Sequence, residues 1–152
     1  MPVNNTSLPD RLLLFDGVCN LCDRSVQFII RHDPKGKFKF APLQSGYAQK
    51  VLRPDRTAPS QPQLTTLPAA DETPLRSIIF ILHAKAYTRS TAIIKVMQEL
   101  GFPWNVFTLF YVLPRPLRDR LYDFVANHRY RWYGKKDSCL VPTAALRDRF
   151  IE

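Results

Sequence analysis

The sequence predicts an α/β chain: a small mixed sheet flanked by helices on both faces, followed by a helical C-terminal extension. Three observations carry this. The apolar run Leu12–Phe15 leads into a segment of helical period and then into an alternating strand, giving β-α-β within the first forty or so residues. A second strand region, Ser77–Leu82, precedes another helical segment. Beyond Pro116, Leu117, Leu121, Phe124 and Val125 recur at helical spacing to about Asn127.

Each element has its own signal. Arg11–Phe15 is short, and apolar from Leu12 to Phe15, as a strand buried on both faces should be. Over Cys19–His32, Asn20, Asp23, Arg24, Gln27 and Arg31 form a polar stripe, opposite an apolar stripe of Cys22, Val26, Ile29 and Ile30. Asp33-Pro34-Lys35-Gly36 ends that helix with a turn, and Lys37–Ala41 alternates as a half-buried strand. Ser45–Leu52 reads as a short helix. Residues 54–76 contain Pro54, Pro59, Pro62, Pro68 and Pro74 among polar residues and read as a loop. Ala86–Thr88 is expected to pair with Ser77–Leu82 through a hairpin. From about Ser90 a helix places Ile93, Val96, Met97 and Leu100 on one face, with Gly101 at its C-terminal cap. Trp104–Leu113 reads as buried helix or turn.

The totals limit the function classes. At 152 residues the chain suits a single domain, 11–152, preceded by a flexible arm of residues 1–10. No stretch approaches the roughly 20 apolar residues of a membrane span, and the first residues lack the basic and apolar regions of a signal peptide. Three cysteines are too few, and odd in number, for a disulfide framework, so a cytoplasmic setting is the simplest expectation. The net charge of +9 raises the question of nucleic acid, but the basic residues are dispersed. Their densest stretch, His128–Lys136, is expected to pack its rings on the domain and turn its Arg and Lys heads to water, which disfavours a nucleic-acid partner. Were it a single-strand site, Arg129 and Arg131 would carry it.

The chemistry centres on Asp16-Gly17-Val18-Cys19-Asn20-Leu21-Cys22. Cys19 and Cys22 fall on the first turn of the predicted helix, where residues i and i+3 are neighbours. Their separation suits a disulfide that opens and closes with little backbone movement. A helix start offers unsatisfied N–H groups and a positive dipole end. The dipole lowers a thiol pKa by about one unit at most, so direct N–H bonds must supply the remainder. Cys19, nearest the helix start, is the expected attacking thiolate, and Cys22, one turn deeper, the shielded resolving thiol. Asp16 either caps the helix start or the Gly17 turn by accepting N–H bonds or takes a proton from Cys22; capping is the preferred role, and in either a nearby carboxylate would raise a thiol pKa. No cofactor is implied.

Two other readings compete. Cys19, Cys22 and Cys139 with one histidine have the ligand types of a zinc site. A binding module with an idle thiol pair is the other. His32, His83 and His128 are isolated and read as surface or packing residues, and Cys139 reads as a buried structural cysteine. Arg24 reads as solvated, with a possible role beside a thiolate.

The chain resembles the DCC family of thiol-disulfide oxidoreductases, named for the Asp-x-x-Cys-x-x-Cys motif present here as Asp16, Cys19 and Cys22. The similar segments are 13–22, 31–38, 41–45, 87–92 and 129–135 leading to Cys139. The resemblance implies a thioredoxin-like fold, exchange through Cys19 and Cys22, and protein or small-molecule thiols and disulfides as partners. One feature of thioredoxins is not matched: Leu75-Arg76-Ser77, not a proline, precedes Ile78.

Overall fold

A computed structural model describes residues 8–52, 78–135 and 144–151. The predicted loop of 54–76 and Cys139 lie outside these residues, as does most of the predicted arm. Four strands form one sheet in the order β2-β1-β3-β4. They are β1 (Arg11–Phe15), β2 (Lys39–Pro42), β3 (Ile79–Leu82) and β4 (Lys85–Thr88). The β1–β2 pairing is parallel, with Leu13 opposite Phe40, and spans the crossover helix α1 (Asn20–His32). The β1–β3 and β3–β4 pairings are antiparallel. The predicted mixed sheet is observed: β1 has its predicted bounds, and the other three strands start one or two residues from theirs.

β1 is central and apolar because both its faces are covered. Alternate side chains leave a strand on opposite faces. Leu13 and Phe15 join one core with Val26, Ile29, Phe38, Phe40, Phe80, Ala92 and Val96. Leu12 and Leu14 join the other with Ala41, Leu43, Ala48, Val51 and Ile81. The first core lies under α1 and α3 (Arg89–Leu100), the second under α2 (Gly46–Leu52). The β3–β4 hairpin turns through His83 and Ala84, both at positive φ (48° and 62°), the twist that two-residue hairpins favour.

Several expectations are corrected. Leu8 packs on the second core and the Asp10 carbonyl accepts the His83 N–H at 3.0 Å, so the end of the predicted arm is docked. Asp23, on the predicted polar stripe of α1, is buried, and Ile30, on the apolar one, is only partly so. In α3 the buried residues are Ala92, Ile94 and Val96, whereas Ile93 is exposed. Of the predicted face, Val96 is buried as expected. Trp104–Val112 forms a 3-10 helix with no buried residue. α4 (Arg115–Tyr133) runs past Asn127 to Gly134, and its predicted apolar face, Leu117, Leu121, Phe124 and Val125, is exposed. The side of α4 that meets the domain instead carries Arg118 and Arg129, the buried residues of that helix.

Candidate active site

The carboxyl end of β1 turns at once into α1, and the turn is held from below. The Cys19 N–H reaches the Asp16 carbonyl at 3.3 Å, and the Asp23 N–H reaches the Cys19 carbonyl at 3.0 Å. Cys19 is therefore the N-cap of α1, with extended backbone (φ −92°, ψ 120°), and Cys22 lies one turn on. Both are reduced. The structure thus brings the predicted pair together at a helix start, as its spacing requires.

The electrostatics separate the two sulfurs. The Cys19 pKa falls to about 6: the Cys22 S–H donates to its sulfur, and this outweighs burial, with help from the Cys22 and Leu21 N–H groups and the Arg129 charge. Cys19 makes no side-chain capping bond as a neutral thiol, so these donors act chiefly on the ionised sulfur. Cys22 moves the opposite way, pushed up because its proton is held against Cys19 and because it is buried. One proton shared between neighbouring sulfurs stays on Cys22, and the charge rests on Cys19.

Access does not follow charge. Cys19 is 0% exposed, whereas Cys22, at 7%, forms part of the wall of a cavity between α1, α3 and α4. Over Cys19 the chain leaving α4 makes an antiparallel bridge through Lys135. Gly134, at φ 78°, makes that turn, and a side chain there would meet Asn20 Nδ2 at 3.3 Å. Asn20 Nδ2 itself donates to the Tyr133 carbonyl at 2.7 Å, tying the end of α4 to the start of α1.

Asp16 is buried (3% exposed) and saturated with donors. One oxygen accepts the Val18 N–H at 3.1 Å and Gln44 Nε2 at 2.9 Å. The other accepts Arg129 Nη2 at 3.0 Å and the Tyr130 hydroxyl. Burial pulls its pKa up, but Tyr130, Val18, Gln44 and Arg129 together hold it below the usual value. Such a carboxylate is a weak base, and no sulfur is among its hydrogen-bond partners. The backbone amide it accepts, that of Val18, belongs to the Gly17 turn, one of the two capping positions expected from the sequence. Burial and the bond to Asp16 raise the Tyr130 pKa and keep its hydroxyl protonated as a donor.

Arg129 is the residue that composition and spacing misjudged. It is not solvated but 4% exposed, bridging Asp16 to the thiol pair, with Nη1 3.5 Å from the Cys22 sulfur. Gln44 was likewise unassigned. Both fall in segments of the family resemblance, the signal that could have flagged them. The other candidates stay apart. Arg24 lies near the Tyr133 ring (5.9 Å), and Arg131 is exposed. His32 packs against Phe28 and Trp104, His128 against Phe124 and Trp132, and His83 sits in the hairpin turn. Among the described residues no group of three or more His, Cys, Asp or Glu could hold a metal ion. No described helix is long and apolar enough to cross a membrane.

A reduced Cys-x-x-Cys pair at the N-terminus of the crossover helix, on a β2-β1-β3-β4 mixed sheet, defines a thioredoxin-like protein. The profile of the DCC1-like thiol-disulfide oxidoreductase family matches residues 13–135, and the chain belongs to that family. It is 40% identical over 149 residues to the uncharacterized protein YuxK of Bacillus subtilis, covering 98% of this chain and 99% of that one. It is 35% identical over 130 residues to a chloroplastic DCC family protein of Arabidopsis thaliana, covering 84% of this chain and 67% of the relative. No solved structure matches it.

Proposed function

We propose that the chain catalyses thiol-disulfide exchange, cycling between the Cys19/Cys22 dithiol and a Cys19–Cys22 disulfide. The observation that carries this reading is the pair itself: two reduced cysteines on the first turn of α1, backed by the buried Arg129–Asp16 pair. Family membership supports the same chemistry.

The roles differ from those expected from position alone. Cys19 is the better thiolate, and Cys22 is the sulfur that faces open space. When the pair is oxidised, an incoming thiolate reaches Cys22, and Cys19 departs as the stabilised thiolate; a leaving thiol of lower pKa leaves faster. In reverse, the Cys19 thiolate resolves a mixed disulfide on Cys22. Arg129 favours negative charge on both sulfurs, and Asp16, Tyr130 and Gln44 hold it in place as positioning residues. The partners are thiols and disulfides that reach the cavity, and the reaction needs no cofactor beyond the cysteines. A cytoplasmic site of action is part of this proposal.

Trapping with single-cysteine variants tests it. With a substrate disulfide, Cys19→Ser should accumulate a mixed disulfide on Cys22, detected by mass spectrometry. Accumulation only in Cys22→Ser, on Cys19, would restore the opposite order of attack. Trapping in neither variant would contradict exchange altogether.

A further inference from the structure

We propose that the cavity beside the thiol pair takes a small apolar acid bearing a thiol or disulfide, with its anionic group on Arg118 and its sulfur at Cys22. The proposal rests on the exchange reading above and names its substrate class. The cavity holds about 350 Å³, within the range of small-ligand sites, roughly 300–1,000 Å³. Its wall is largely apolar, with Ile78, Ile93, Phe107 and Leu121 prominent. The charged groups on the described wall are two arginines, Arg118 and Arg129, and no carboxylate is among its lining residues.

The two arginines are not equivalent. Arg129 is matched by Asp16 at 3.0 Å. Arg118 is 8% exposed, yet among the described residues its Nε and Nη1 have no hydrogen-bond partner. Its Cζ lies 5.0 Å from the centre of the Tyr111 ring, a contact that offers no anion. The acids of α4 nearby are engaged elsewhere: Asp119 takes the Ser90 hydroxyl at 2.6 Å and faces Arg115 at 3.7 Å, and Asp123 faces Arg89 at 3.7 Å. Buried guanidinium nitrogens without an acceptor are costly, and native proteins rarely leave them so. The planar fork of Arg118 suits a carboxylate. An acid bound there would lie in the same cavity as the Cys22 sulfur, with its apolar body against the wall between them.

For a dithiol acid the exchange balances without further reagents. The substrate thiolate attacks Cys22 Sγ of the oxidised pair, the S–S bond breaks, and its electron pair stays on Cys19. The second substrate thiol, losing its proton, attacks the substrate sulfur of the mixed disulfide, and Cys22 leaves and takes up a proton. The substrate becomes a cyclic disulfide and the protein disulfide a dithiol.

The experiment follows reduction of the Cys19–Cys22 disulfide in the full chain by dihydrolipoate and by the neutral dihydrolipoamide, with octanoate and octanamide as sulfur-free competitors. Dihydrolipoate should react faster by roughly tenfold or more, the scale of one charged hydrogen bond, and octanoate but not octanamide should slow it. Arg118→Met should abolish the preference, and Arg118→Lys, which keeps the charge, should retain part of it. Equal rates for acid and amide would overturn the substrate class and leave exchange standing. Reduction by neither dithiol, with octanoate still bound in an Arg118-dependent way, would strike the exchange reading and overturn the substrate assignment with it.

Discussion

At the residue scale, the chemistry comes down to which sulfur keeps a proton. A Cys19 pKa of about 6 lies well below the usual 9.0, so the reduced folded protein carries a thiolate where the unfolded chain carries a thiol. The linkage has a definite sign. Between about pH 6 and 9 the unfolded state binds the extra proton, so reduced-state stability should rise with pH across that window and be lost as pH falls through 6. Denaturant unfolding of Cys19→Ser should lack this rise. Asp16 acts in the same sense at lower pH. Its carboxyl, held below 3.8, contributes stability that is lost as pH falls below about 4, and Asp16→Asn should flatten that acid limb. Removing the arginine alone strands a buried carboxylate: Arg129→Met should cost about 3–5 kcal/mol in chemical denaturation, and the double variant with Asp16→Asn less than the sum of the singles. The Cys19–Cys22 pair was legible from spacing alone. Arg129 was not, because an arginine among aromatics in a basic stretch has the composition of a solvated helix end, and its acceptor lies far away in sequence at Asp16.

At the element scale, β1 and α1 position the pair and α4 closes over it. β1 was legible because a fully apolar run of four residues, Leu12–Phe15, can be satisfied only by cover on both faces. Leu13→Ala in this strand should destabilise by about 2–5 kcal/mol, since Leu13 is wholly enclosed between Phe40 and Phe80 as sheet neighbours. The apolar residues of α4 misled in the opposite direction. Leu117, Leu121, Phe124 and Val125 repeat at helical spacing, yet periodicity records only that a face exists and not that something covers it. The end of α4 depends on Gly134. Replacing it by alanine would place a Cβ at positive φ and against Asn20, so Gly134→Ala should cost about 1 kcal/mol or more and loosen the Lys135 bridge over Cys19. The loosened cover should speed Cys19 alkylation at constant pH, which a stopped-flow labelling assay would read directly.

At the scale of the whole molecule, charge and access are divided between two sulfurs on one helical turn. The sheet buries the back of the pair, α4 brings a cation to its side, and the cavity between α1, α3 and α4 opens towards Cys22 alone. The fold class followed from local patterns, since strand, helix and turn signals are all short-range. The cavity did not, because its wall is assembled from α1, α3, α4 and the 3-10 helix, whose mutual packing no local pattern encodes. The account as a whole stands on the thiolate at Cys19. Its most direct test is a pH titration of thiolate ultraviolet absorbance in the reduced wild-type protein and in Cys19→Ser. The predicted result is a transition near pH 6 in the wild type that disappears in the variant. A wild-type protein whose only thiolate transition lies near the usual 8.5–9 of a free cysteine, or a transition near 6 that survives in Cys19→Ser, would contradict it.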